Sequence, residues 1–151
     1  MKTDYALYIL MRNDLGSMSP GRCMAQASHA SNAFIHKYGK HKDVKLWQKQ
    51  TKQGFGTAIV LSVDLSQLMS TVSNLKSENY NSEFVYDPEY SYVVPEELYP
   101  LINPEYHVIP AIPKFANGDM LCFRNELTCG YVFGDRNDVE FKNNFIEYPL
   151  Y

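Results

Sequence analysis

Seven consecutive apolar residues, Tyr5 to Met11 (YALYILM), end abruptly in the charged Arg12-Asn13-Asp14. A run this short falls well below the roughly 18 residues of a membrane span. It also lacks the alternation of a half-exposed strand, so it predicts a strand buried on both faces that emerges at its C-terminal end. After Gly16 the sequence SMSPGR supplies a helix start. Ser19 is the expected N-cap, and Pro20 takes the first helical position, where its missing N–H costs nothing. Cys23, Ala27, Ala30 and Phe34 then fall at i, i+4, i+7 and i+11. They form one apolar stripe and predict a helix to about Tyr38, stopped by Gly39.

A buried strand feeding an amphipathic helix opens an α/β fold, and the rest of the chain continues the pattern. A shorter helix is expected from Asp43 to Lys52, with Leu46 and the single tryptophan, Trp47, inward and its lysines in water. Gly54 and Gly56 end it, and Thr57 to Val63 (TAIVLSV) predicts a central strand. Asp64 caps a helix whose Leu65, Leu68, Met69, Val72 and Leu75 share one face. Glu83 to Asp87 predicts a third strand ending in an acid before Pro88. Between Pro95 and Asp119 the composition shifts to proline, tyrosine and asparagine, and Pro100, Pro104, Pro110 and Pro113 forbid a long helix. This segment is expected to be an ordered insertion or lid at about 96–126, or else disordered. Met120 to Phe123 predicts an extra strand and Thr128 to Phe133 the last core strand. A terminal helix capped by Asp135 or Asn137 should follow, with Val139, Phe141 and Phe145 available to pack. The order predicts a three-layer α/β/α sandwich around a mixed, mostly parallel four-stranded sheet in a single domain, 1–151.

The 151 residues, 45% of them hydrophobic, suffice for one core that buries roughly two-thirds of the unfolded surface. No stretch is long and apolar enough for a membrane helix, and the N-terminus lacks a secretory pattern. Cys23, Cys122 and Cys129 are odd in number and lack CxxC spacing, which argues against a disulfide framework or zinc knuckle and for a reducing, cytoplasmic setting. The net charge of −3 conceals an asymmetry. Residues 1–54 hold nine of the 14 Lys/Arg and three of the 17 Asp/Glu. Lys37, Lys40, Lys42, Lys45, Lys49 and Lys52 therefore form either a solvated helical surface or a face that meets a polyanion.

Arg22, Gln26 and His29 fall at i, i+4 and i+7 on the first long helix. A cation, an amide and an imidazole on one stripe suit phosphate, ribose and an ester carbonyl, whereas a plain polar helix face is the simpler reading. Asp87 closes a predicted strand, a position from which a carboxylate can orient water, although aspartate before proline is also ordinary turn chemistry. Ser91, Tyr99 and Thr128 are hydroxyl candidates without a nucleophile elbow around them. Cys122 and Cys129 sit in apolar strand contexts that favour buried structural thiols over a metal or nucleophile site with His107. No phosphate-binding glycine loop occurs.

Arg12-Asn13-Asp14-Leu15 followed by Met18-Ser19-Pro20-Gly21-Arg22-Cys23-Met24-Ala25-Gln26-Ala27-Ser28-His29-Ala30 resembles the N-terminal signature of archaeal/eukaryotic-type (type 2) peptidyl-tRNA hydrolases. Further matches keep the family's order: Leu46-Trp47 ahead of the strand Ile59-Val60-Leu61, the helix Asp64 to Leu75, Asp87 with Ser91 and then Val93-Val94-Pro95, Thr128 on the last strand, and the terminal Leu150-Tyr151. The resemblance spans about residues 5–95 and 128–151.

It implies metal-independent hydrolysis of the ester between peptide and tRNA, with no cofactor, and suggests a homodimer. The family's proposed catalytic group is a helix lysine, an aspartate and a last-strand threonine, which position by position become Arg22, Asp87 and Thr128. Gln26, His29, Ser91, Arg12, Lys37, Lys45 and Lys49 are the expected substrate-binding set, with tRNA as partner. Two departures stand out. An arginine keeps its proton and cannot serve as a general base. The family's Ala-Gly after the aspartate is Pro88-Glu89 here. A catalytically altered tRNA- or protein-binding relative, or a hydrolase of another small ester or nucleotide adduct, are the alternatives.

Overall fold

A computed structural model of the chain describes residues 2–94, 97, 107–109 and 120–151. Its elements are β1 (Tyr5–Arg12), α1 (Pro20–Tyr38), α2 (Lys42–Gln48), β2 (Thr57–Val63), α3 (Leu65–Ser77), β3 (Asn81–Val94), β4 (His107–Ile109), β5 (Met120–Asp135) and α4 (Val139–Asn143). The chain divides into two compact units, Met1–Val85 with Thr128–Tyr151, and Tyr86–Leu127. The expected insertion at about 96–126 falls in the smaller unit, and most of it, with Pro95 and Tyr99, lies outside the described residues.

The strand order is β2-β1-β5-β3, with β4 beside β5. β1 runs parallel to β2, from Ala6↔Thr57 to Arg12↔Val63. It runs antiparallel to β5, from Tyr5↔Asp135 to Met11↔Cys129, and β4 is antiparallel to β5. The α/β class holds, but the expectation of a mostly parallel sheet does not. Parallel neighbours need a crossover connection, and β5 follows other strands rather than a helix.

Alternation along β1 and β5 builds two cores. On one face Leu7, Ile9 and Met11 join Cys129, Tyr131 and Phe133 beneath Ala30 and Phe34 of α1 and Val44 and Trp47 of α2. The Phe34 ring lies 5.0 Å from Phe133, 5.6 Å from Tyr131 and 5.7 Å from Trp47. On the other face the even-numbered residues of β5 include two glycines, because helices press directly on the strand. A Cβ on Gly130 would sit 2.9 Å from Val72 and 3.0 Å from Leu68 of α3, and one on Gly134 would meet the Phe141 ring of α4 at 2.6 Å. Helices thus cover both faces, as the three-layer reading requires.

Several local expectations are corrected. β2 stands at an end of the strand order rather than its centre, and the C-terminal tail lies along it, with Ser62 N–H donating to Pro149 O (2.8 Å) and Tyr151 N–H to Val60 O (3.1 Å). That backing shields an apolar edge. α2 is shorter than predicted and turns Val44 and Trp47 inward while Leu46 is exposed. The indole Nε1–H donates to Thr57 O at 2.8 Å, which fixes the register of α2 over the sheet.

In α3, Met69 is exposed and Thr71 is buried instead, its hydroxyl 2.7 Å from Tyr148 Oη. The cap of α4 is Asp138. Asp135 instead accepts the N–H groups of Asp4 and Asn137. β3 does not end at Asp87 but runs through Pro88 to Val94, since proline is tolerated in a strand at the end of a sheet. The two predicted C-terminal strands are one, because Arg124-Asn125-Glu126 continues the strand instead of breaking it.

Glu83 of β3 joins the two helical layers. Its carboxylate holds Lys37 of α1 at 2.5 Å and Lys76 of α3 at 2.7 Å. Burial alone would raise this carboxyl, but the hydrogen bonds from the two ammonium groups outweigh it and hold the pKa at about 2. A depressed carboxyl stabilises the fold above its unfolded value and loses that contribution as pH falls through the folded one. Thermal unfolding should therefore show Glu83→Gln melting below wild type at about pH 6 and converging with it toward about pH 2. Parallel curves across that range would contradict the pairing.

Candidate active site on the first helix

The polar stripe of α1 is not a uniformly solvated face. Gln26 is 3% exposed and Thr128 of β5 fully buried, and the threonine Oγ1–H donates to Gln26 Oε1 at 2.7 Å. The same hydroxyl lies 3.4 Å from Val85 O of β3, and the Cys129 thiol donates to the Gln26 main-chain carbonyl at 3.7 Å. A buried amide left unsatisfied costs about 1–3 kcal/mol, so this pairing is what lets a glutamine lie against the sheet.

One turn earlier Arg22 is half-buried. Its N–H donates to the Ser19 cap at 3.3 Å, and its guanidinium Nη1 donates to Ser17 O at 3.2 Å. His29, one turn later, is exposed. The larger unit thus brings Gln26 and Thr128 together with Arg22 on the adjacent turn, and leaves His29 in solvent.

The loop before α1 is tied down at its start. Asn13 donates through its main chain to Val63 O (2.8 Å) and through its side chain to Ser62 Oγ (3.0 Å). Arg12, 7% exposed, donates from Nε to Asp14 Oδ1 at 2.7 Å, and Asp14 Oδ2 accepts the Leu65 N–H at 3.1 Å. Burial would raise the Asp14 carboxyl, but Arg12 and the Leu65 N–H together hold it below the ordinary carboxylate value. Asp14 was not singled out from sequence. An acid two residues beyond a strand-terminal arginine was the available signal.

The predicted cationic contacts separate. Lys37 is engaged by Glu83, whereas Lys45 and Lys49 are exposed on and just after α2. Cys122 and Cys129 are buried, as their apolar settings predict, and burial pushes the Cys129 thiol up to about 12. The side chain of His107 lies outside the described residues. Among the described residues no group of three His, Cys, Asp or Glu is arranged to hold a metal, and no helix is long and apolar enough to cross a membrane.

Within the smaller unit Asp87 and Ser91 are half-buried, and Asp87 Oδ1 accepts the Glu89 N–H at 3.0 Å, bridging over Pro88. Glu126, buried in the same unit, accepts the Tyr92 hydroxyl at 2.7 Å and pairs with Arg124 at 3.3 Å. That pairing was invisible from sequence, because the partners stand 34 residues apart.

A sequence model of the peptidyl-tRNA hydrolase PTH2 family matches residues 5–99. The chain belongs to that family. No curated protein matches it, so the assignment stands on the family match over nearly two-thirds of the chain. In this PTH2 chain the matched segment carries every element from β1 to β3, and with them Arg22, Gln26, Asp87 and Ser91. Thr128 lies beyond the matched segment, yet its hydroxyl is bonded to Gln26 inside it.

Thr128→Val should lower unfolding stability by about 1–3 kcal/mol, since it removes the hydroxyl that donates to the buried Gln26 carbonyl. Adding Gln26→Leu should cost less than the sum of the two single changes. Chemical denaturation of the four proteins checks this, and strict additivity would contradict a direct bond.

Proposed function

We propose that this chain hydrolyses the ester that joins a peptide to the 3′ end of tRNA, in the cytoplasm, by side-chain activation of water and without a metal cofactor. The observation that carries this reading is the family match over residues 5–99, which spans the helix that holds Arg22 and Gln26. Arg22 stabilises the negative charge that develops on the ester carbonyl oxygen, since a guanidinium offers two donors in a fixed plane. Asp87 orients the attacking water and takes up its proton. Thr128, fully buried, and Gln26, 3% exposed, act on the reaction through the setting of α1, which aims Arg22 at the 3′-terminal ester.

His29 and Ser91 complete the contacts near the ester, and Arg12 supports the loop beside them. Lys45 and Lys49, with Lys37 in a lesser part because Glu83 already engages it, hold acceptor-stem phosphates by charge and shape, as A-form RNA hides its base edges. By analogy with its family the protein works as a homodimer. One observation favours a second reading: Arg22 stands where the family has a lysine. If that lysine must exchange a proton, the natural chain is a tRNA- or protein-binding relative that has kept the fold.

Hydrolysis of N-blocked aminoacyl-tRNA by wild type, Asp87→Ala and Arg22→Lys separates these readings. Wild type should be active, Asp87→Ala should lose about a hundredfold or more in kcat/KM, and Arg22→Lys should stay within about tenfold of wild type. Substrate left intact by wild type over hours, under conditions where a family enzyme finishes in minutes, would refute the hydrolase. Activity confined to Arg22→Lys would establish the binding relative. In the same assay the double change Lys45→Ala with Lys49→Ala should raise KM and flatten its salt dependence, the slope in log–log form falling by about 0.7–0.9 per lost phosphate contact. An unchanged slope would move the RNA-binding face elsewhere.

A further inference from the structure

We infer that Asp14 is a positioning residue for Arg22, holding the β1–α1 loop in the one path that presents the Ser17 carbonyl to the arginine head group. The inference rests on the ester-hydrolysis reading above, in which Arg22 faces the developing oxyanion.

In the loop from Asn13 to Ser19, Met18 packs against the core beneath α1 and Leu15 is partly buried, whereas Gly16 has open space around it. The start of the loop is held by polar contacts. The two Asp14 carboxylate oxygens reach two different elements: Oδ1 accepts from Arg12 Nε at the end of β1, and Oδ2 accepts from the first N–H of α3. That N–H belongs to Leu65, a donor without a partner inside its own helix. The cap residue Asp64 spends its side chain on Gln67 N at 2.8 Å instead. Asp14 is therefore a cap supplied to α3 from another part of the chain, and α3 in turn is an anchor for the loop.

Downstream the Met18 N–H closes a turn on Leu15 O at 2.9 Å, and Ser17 O receives Arg22 Nη1 at 3.2 Å. Asp14 and Ser17 are thus separated by a single turn. A flexible cation on a half-buried helix start needs such a rest to stay aimed, and misplacement of a catalytic group by about 1 Å can cost about a hundredfold in rate. A carboxylate that merely stabilised α3 would behave like Asp64, whose side chain caps the same helix without touching the loop.

The test measures kcat and KM on N-blocked aminoacyl-tRNA in the steady state, together with Tm, for wild type, Asp14→Ala, Asp14→Asn, Asp64→Ala and Arg22→Ala, and for Asp14→Ala in the Arg22→Ala background. The expected result is a fall of about tenfold to hundredfold in kcat for Asp14→Ala, with KM changed by less than about twofold. Asp14→Asn, which keeps one acceptor oxygen, should fall between that variant and wild type, and it serves as the probe if Asp14→Ala does not fold. Asp64→Ala should lower Tm and leave kcat near wild type. In the Arg22→Ala background the Asp14 change should remove less than about twofold more. Wild-type kcat in the folded Asp14 variants, an equal loss in Asp64→Ala, a loss confined to KM, or a full further loss without Arg22 would each overturn the inference. An inactive wild type would instead refute the hydrolase reading, and the inference with it.

Discussion

The bond between the Thr128 hydroxyl and the Gln26 side chain is the constraint on which the setting of the first helix depends. Apolar burial draws α1 onto the sheet, yet that attraction is non-directional and tolerates rotation of the helix about its axis. A donor and an acceptor 2.7 Å apart in a buried interface favour one rotation, because any other breaks a bond between two buried polar groups. The Cys129 thiol on the Gln26 carbonyl reinforces the same setting. With the rotation fixed, Arg22 on the preceding turn and His29 on the following one have defined directions, half-buried and solvent-facing respectively.

Around that bond the larger unit is organised by space and charge. Gly130 and Gly134 let α3 and α4 press onto β5, while the odd-numbered residues of the same strand carry the aromatic core under α1. Glu83 then holds a lysine from each helical layer, so the strand at the end of the order is tied to both. Asp14 plays a comparable part at the opposite end of α3, reaching from the loop after β1 to the first helical N–H. The smaller unit, which contains Asp87, has its own polar pairing in Tyr92, Glu126 and Arg124.

Much of this was legible in the chain. Ser19-Pro20 and Asp64 placed the starts of α1 and α3, because capping is local chemistry that a sequence displays directly. The stripe of α1, most of that of α3 and the apolar run of β1 were readable from spacing and composition, and the resemblance to type 2 peptidyl-tRNA hydrolases agrees with the family match. What stayed hidden depends on distant partners. A glutamine at position 26 reads as surface until a threonine 102 residues away satisfies it. Arg124 and Glu126 read as a break until Tyr92 and their mutual pairing make them tolerable inside a strand. Strand direction was misjudged because alternating strands and helices suggest crossovers, and nothing local marks β5 as running against β1. Leu46 and Val44 traded places because a seven-residue helix offers too few turns for periodicity to choose its inward face.

Solution NMR of the Thr128 hydroxyl proton tests the central claim most directly. A hydroxyl held in a buried bond exchanges slowly with water, so a resolved resonance with a cross-peak to the Gln26 side-chain amide is the predicted result. A hydroxyl proton exchanging at the rate of solvent-exposed threonines, with no contact to Gln26, would contradict it.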